Sequence, residues 1–219
     1  MSSQPATRKL PVVLLALLLA ISVPTMLVAP AGIKSWSLEV VPGLLLVAFM
    51  AASYRRFPLS NWVYIGTFLH ILVLIYGGMY TYAETPLGNW ARDAFDLSRN
   101  HYDRVGHVAL GLFPAFFARE VLRKRTPLSG AWLAVCAWSI VFAFGAFWEL
   151  LEWWAALLLA SDVGQAFLGS QGDVWDAQWD MLLVGVGAAI ALLAFSRPHE
   201  RSMAQSAPAP DHTRQPASN

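Results

Sequence analysis

Residues 10–33 read LPVVLLALLLAISVPTMLVAPAGI, a run without a charged side chain that follows Arg8-Lys9. A helix needs about 20 mostly apolar residues to cross a bilayer, and this run is long enough alone. Val28-Ala29-Pro30-Ala31 offers the small residues of a signal-peptide cleavage site. The run is nevertheless longer than a signal h-region of about 7–15 residues. The length favours an uncleaved first helix over a signal peptide.

Working outward, the same pattern recurs. Spans are expected near residues 10–30, 37–54, 61–83, 105–123, 131–159 and 176–196. The expected fold class is all-α, a polytopic bundle of about six transmembrane helices in one domain, residues 10–196. Residues 1–9 precede it. Residues 197–219 hold few large apolar side chains and are expected to form a disordered tail. Glu84 to Arg104, with Pro86, Gly88 and Asn89, reads as an ordered loop containing a short interfacial helix. Only 13% of the 219 residues are charged and 57% are hydrophobic, whereas soluble domains carry about 25% charged residues. Fifteen Lys and Arg against fourteen Asp and Glu leave no basic surplus for a nucleic-acid partner. The single cysteine, Cys136, excludes an intrachain disulfide and a Cys-based zinc site.

Basic residues collect on the cytoplasmic side of membrane proteins. Arg8-Lys9, Arg55-Arg56, Arg119 to Arg125, and Arg197 with Arg201 all fall on one face of a six-span topology. Both termini are therefore expected in the cytoplasm. That side holds eleven basic and three acidic residues, and the outer side four basic and eleven acidic ones. Acids have little weight in setting topology, so their crowding on the outer face needs its own explanation. Trp36, Trp90, Trp148, Trp153, Trp154, Trp175 and Trp179 fall near outer ends, as a headgroup belt requires. Trp138 falls mid-span and reads as packing bulk.

Three segments bring ionisable groups to that outer end. The first carries Arg99, His101, Asp103, Arg104 and His107; Asp103 and His107 share a helix face at a spacing of four. The second carries Glu149 and Glu152, three apart. The third carries Asp173, Asp176 and Asp180, one stripe of a helix. From Ala131 to Glu149 a helix rises roughly 27 Å, near the edge of a hydrocarbon core about 30 Å thick. Carboxylates there are costly unless paired or facing a wet cavity.

Three readings of this constellation stand side by side. It is an ion-pair network that fixes helix register. It is a divalent-cation site, with His107, Glu149, Asp103 and Asp176 as ligands. Or it is a catalytic group, with Glu149 or Glu152 as base and His107 as acid or ligand. Arg99, His101, Arg104, Asp173, Asp176 and Asp180 with Asp103 are the expected ligand-binding residues. His70, near mid-span, reads mainly as a neutral imidazole bonded to a neighbouring helix. Gly185 and Gly187 with Ala188-Ala189 form a small-residue packing surface.

The strings Tyr54-Arg55-Arg56-Phe57-Pro58-Leu59-Ser60-Asn61, Gly88-Asn89-Trp90, Ser98-Arg99-Asn100-His101-Tyr102-Asp103-Arg104 and Gln171-Gly172-Asp173-Val174-Trp175-Asp176 resemble the bacterial inner-membrane YjdF family. The resemblance covers roughly residues 10 to 196. It implies a multi-pass inner-membrane protein and brings no activity with it. A more distant likeness is to VanZ-like proteins, some of which are linked to glycopeptide-antibiotic resistance. Asp103-Arg104 with His107 looks like their first element, Glu149 with Glu152 is similar to the second, and Asp173, Asp176 and Asp180 resemble the third. Glu152 stands where that pattern has Gln, and Asp180 where it usually has Asn, so this site is the more acidic.

The leading expectation is a membrane protein that binds a divalent cation, or a cationic or lipid-headgroup ligand, at its periplasmic face. One alternative is a membrane-embedded enzyme acting on a lipid-linked envelope substrate. Another is a small-solute or proton transporter with His70 in its path. The expected surroundings are the lipid bilayer and a lipid-linked or small-molecule ligand.

Overall fold

The computed structural model describes residues 9–159, 164 and 169–206. Among these there is no strand. The helices are α1 (Lys9–Val28), α2 (Gly32–Ser53), α3 (Asn61–Tyr80), α4 (Pro86–Phe95), α5 (Tyr102–Arg125), α6 (Gly130–Leu158), α7 (Asp176–Ala194) and α8 (Ser196–Ser206). A 3₁₀ turn, Tyr82–Glu84, links α3 to α4. Six of the helices, α1, α2, α3, α5, α6 and α7, are long and apolar enough to cross a bilayer. Their outward positions carry large apolar side chains such as Leu27, Leu45, Trp132 and Leu193, the surface that lipid rather than water covers.

α5 is the axis of the bundle. It packs against α3, α6 and α7, while α1 sits at the periphery against α2 and α3. The α5–α7 contact is made backbone to backbone. A Cβ on Gly111 would lie 2.0 Å from the Val184 carbonyl oxygen, and one on Gly187 would lie 2.1 Å from that of Val108. Small residues give membrane helices their van der Waals attraction by letting backbones approach. Gly187 and Ala188 serve that contact. Gly185 faces the other way, towards α6, and its carbonyl accepts a 2.8 Å hydrogen bond from the indole of Trp138.

Trp36 departs from the expected headgroup belt. It is 2% exposed and packs with Leu18, Val40, Ile71 and Ile75. The close approach of Gly78 on α3 to the Trp36 backbone turns this end of α2 inwards. α4 is strongly amphipathic, with Leu87, Trp90 and Phe95 exposed on its apolar face. Such a helix lies along the membrane surface with its apolar side in the headgroup region.

At the Arg- and Lys-rich end the structure corrects the expected tail. Residues Ser196–Ser206 are helical, and His199 is fully buried. The reason is a carboxylate on α5. Glu120, also fully buried, accepts hydrogen bonds from the Ser60 amide (2.8 Å), the Ser60 hydroxyl (2.5 Å) and Lys124 (2.6 Å). His199 Nε2 lies 3.1 Å from Oε2, the oxygen that also accepts from the Ser60 hydroxyl. Arg119 pairs with Glu200 at 2.6 Å, and Met203 is buried alongside. A buried carboxylate must be fully hydrogen-bonded, and this requirement holds α8 under α3 and α5. The remainder of the expected tail, residues 207–219, lies outside the described residues, as do residues 1–8 and Asp162.

Candidate functional site

At the opposite, acidic end, three helix termini converge. His101 precedes the first turn of α5, so Asp103 and His107 sit one turn apart on its buried face. α6 is 29 residues long and carries Glu149 and Glu152, both buried, in its last turns. α7 begins at Asp176 and turns Asp180 towards α5. The Gly111–Val184 contact described above sets the distance between these last two helices.

His107 is the centre. Its Nε2 lies 3.0 Å from Glu149 Oε1. Its Nδ1 lies 3.3 Å from Asp180 Oδ1, 3.4 Å from Asp103 Oδ1, and 3.3 Å from the Asp103 carbonyl oxygen one turn earlier. The bond to the Asp103 carbonyl has hydrogen-bond geometry. The approaches of Glu149 Oε1 and Asp180 Oδ1 do not, and both oxygens are buried without a hydrogen-bond partner. Two triads share the imidazole: Asp103, His107 and Asp180 on one side, and His107, Glu149 and Glu152 on the other. Within each triad the potential ligand atoms lie within 4.8 Å of one another. Opposite oxygens on a cation with 2.0–2.6 Å bonds are about 4–5 Å apart, so this spacing suits a single ion. Glu152 also accepts a 2.8 Å hydrogen bond from the indole of Trp148.

The nearby arginines belong to a separate layer. Arg99 pairs with Asp176 at 2.5 Å and Asp173 at 3.5 Å; Arg104 pairs with Asp173 at 2.8 Å and Asp176 at 3.8 Å. Arg99 also donates to the Ser170 carbonyl. Asp176, expected among the metal ligands, is therefore held by Arg99 and is absent from both triads. One turn of α7 separates Asp176 from Asp180, and that turn decides whether a carboxylate meets the arginine mouth or the imidazole beneath it. His101 stays in the outer layer, where its Nδ1 is buried without a partner. Partial burial and the charges of Arg99 and Arg104 push its pKa down. Asp173 is held below its usual range, first by the Trp175 amide it accepts from, then by the two arginines.

A clasp of amides fixes this layer. Asn100, fully buried, donates from its side chain to the Thr85 carbonyl at 3.1 Å and to Asn89 Oδ1 at 3.0 Å. Its side-chain oxygen accepts from the Tyr102 amide at 2.9 Å. Gln171 donates to the Asn100 carbonyl at 2.8 Å, and its own oxygen accepts from the Asn100 amide at 3.2 Å. The Arg99–Asp176 pair is the charged part of the clasp, and both side chains are about nine-tenths buried. Removing one partner of a buried pair costs about 3–5 kcal/mol. Arg99→Ala is therefore expected to lower the melting temperature of the purified protein markedly. Adding Asp176→Asn to it is expected to recover part of the loss. An unchanged melting temperature in the single variant would show the pair to be idle.

Beneath His107 lies a cavity of about 340 Å³. Glu39 of α2, Tyr82, Asp103, His107 and Glu152 line one part of it, and mainly apolar residues of α2, α3, α5 and α6 line the rest. Burial, and then the carboxylates Glu39, Asp103 and Glu152, push the Tyr82 phenol well up. Glu39 and Tyr82 escape the sequence reading. A lone acid within an otherwise apolar span, as Glu39 is, was the available signal. His70 also lines the cavity. In place of the expected bond to a neighbouring helix, its ring packs 6.2 Å from that of Phe113 and its Nδ1 has no partner.

Comparison with known proteins places these features in a family. Residues 10–201 match the family described as predicted membrane protein (DUF2238). The chain is 40% identical over 173 residues to the inner membrane protein YjdF of Escherichia coli (strain K12), covering 77% of this chain and 81% of that one. No solved structure matches. With its six membrane-length helices, the molecule is a multi-pass inner-membrane protein.

Proposed function

We propose, for a chain that belongs to the DUF2238 family of predicted membrane proteins, that the acidic end of the bundle is a binding site for a divalent cation and faces the periplasm. One observation carries this reading. Glu39, Asp103, Glu149, Glu152 and Asp180 are all buried, at 9% exposure or less, around one imidazole, while Arg99 and Arg104 are committed to Asp173 and Asp176. A single imidazole supplies at most one positive charge against several carboxylates. Uncompensated buried charge is expensive, and a hard divalent cation removes the excess with the oxygen donors it prefers.

Asp103, His107 through Nδ1, and Asp180 are the proposed ligands, with Glu149 and Glu152 on the Nε2 side of the imidazole. The VanZ-like order of the three segments supports treating them as one site. The acid crowding on the face opposite the Lys and Arg clusters supports the periplasmic orientation. An enzymatic role on a lipid-linked substrate would draw on the same His107, Glu149 and Glu152.

Mn2+ is a suitable probe, because its electron paramagnetic resonance signal reports free and bound ion directly. Purified protein is expected to bind about one Mn2+ per chain. His107→Ala is expected to weaken binding about 100-fold, the size of effect that follows loss of close metal-site partners. Equal binding by wild type and variant, or none by the wild type, would end the cation reading.

A further inference from the structure

The cavity beneath His107 is polar at one end only. Its acidic part is formed by Glu39, Asp103, His107 and Glu152; its shaft is formed by side chains such as Leu46, Leu110, Phe117 and Phe144. Along α5 it runs from Asp103 to Phe117 and Ala118. At about 1.5 Å per residue that is roughly 21 Å, about two-thirds of the depth of a hydrocarbon core. A volume of about 340 Å³ falls in the range of small-ligand pockets, roughly 300–1,000 Å³.

The way in is lateral. α2 packs on α1 and α3, and α6 packs on α5 and α7, so a seam between α2 and α6 borders the cavity. Pro42 on one lip and Ile140 and Phe144 on the other line the cavity and are also exposed at the molecular surface. At this depth that surface faces acyl chains rather than water.

We propose that the cavity takes a membrane amphiphile with a single chain and a phosphate head, which enters between α2 and α6 and lays its chain along α5. Its head meets the cation held at His107. The inference rests on the cation reading above and adds the ligand class. A water-soluble solute makes no use of an apolar shaft. A purely apolar ligand leaves the carboxylates without compensation. A carboxylate-bound hard cation characteristically completes its coordination with phosphate oxygens, and an amphiphile is the molecule that brings phosphate and chain together. One buried atom without a hydrogen-bond partner belongs to the wall part-way down, His70 Nδ1.

The test uses the full chain in phosphatidylcholine nanodiscs, with Mn2+ affinity read by electron paramagnetic resonance. Linkage requires that a ligand touching the bound ion tighten it reciprocally. Dodecyl phosphate is expected to lower the Mn2+ Kd about tenfold, within the usual span of such couplings. Butyl phosphate, which lacks the chain, and dodecanol, which lacks the phosphate, are expected to leave it unchanged. Leu46→Trp, which fills the shaft, and Phe144→Trp, which narrows the lip of the seam, are expected to abolish the tightening and keep the Mn2+ Kd without amphiphile within about twofold. Tightening by butyl phosphate to the same degree, none by dodecyl phosphate, or full tightening in both Trp variants would overturn the amphiphile proposal while leaving the cation site standing. Displacement of Mn2+ by dodecylamine would overturn it in favour of a cationic head. Absence of Mn2+ binding to the wild type would remove the cation site and this inference with it.

Discussion

Replacing Gly111 with leucine is expected to unfold the centre of the bundle, with a loss of at least about 3 kcal/mol and of most of the folded yield. Space at that position ends at a main-chain carbonyl, that of Val184, 2.0 Å from where a Cβ would be. A side-chain neighbour could rotate away; a helix backbone cannot. α5 and α7 would have to move apart along their length, and Gly187 against Val108 would lose its contact too. The displacement also separates His107 from Asp180, which face one another across the same pair of helices. Gel filtration of the detergent-purified variant and a thermal melt check the prediction. Val186→Leu, on the exposed side of α7, is the control and should melt like the parent. A Gly111→Leu protein with parental stability would refute the backbone contact as the organising feature.

Asp180→Asn is expected to do two opposite things. Without divalent cations it should raise the melting temperature by a few degrees, because it removes one of the crowded negative charges. With Mn2+ it should forfeit the stabilisation that the wild type gains, about 2.7 kcal/mol at a concentration 100 times Kd. The reasoning lies in the contacts. Asp180 is 1% exposed, and its Oδ1 has no hydrogen-bond partner. An acid that existed to hold helix register would be bonded throughout, as Glu120 is at the other end. If the acidic cluster is only a structural network, Asp180→Asn destabilises the metal-free protein and leaves any Mn2+ response intact. Scanning fluorimetry with EDTA and with Mn2+ separates the two outcomes in one experiment.

The sequence shows the spans and the three polar segments because both are local properties. A charge-free run of membrane length, or a carboxylate four residues before a histidine, is written in consecutive positions. The same kind of reasoning does not sort Asp176 from Asp180. Both lie on one stripe of α7, and only the depth at which α7 docks on α5 gives one to Arg99 and the other to His107. His199 is a second case. Its stretch has the composition of a tail, yet it is ordered by Glu120, 79 positions earlier. Trp36 is a third. Its place near a span end fits a headgroup belt, but the opening beside Gly78 draws it inwards. Each departure comes from a partner distant in sequence, which no local period records.

The glycine contact between α5 and α7 also sets an order of events during synthesis. α5 and α6 leave the ribosome, with Asp103, His107, Glu149 and Glu152, before Asp180 has been made. Until the last span enters the membrane, the imidazole meets Asp103 alone on its Nδ1 side, and α5 presents a bare glycine groove to lipid. Completion of the site and completion of the bundle are then the same step. A chain stalled before residue 176 would carry Asp103, His107, Glu149 and Glu152 without the helix that completes their site.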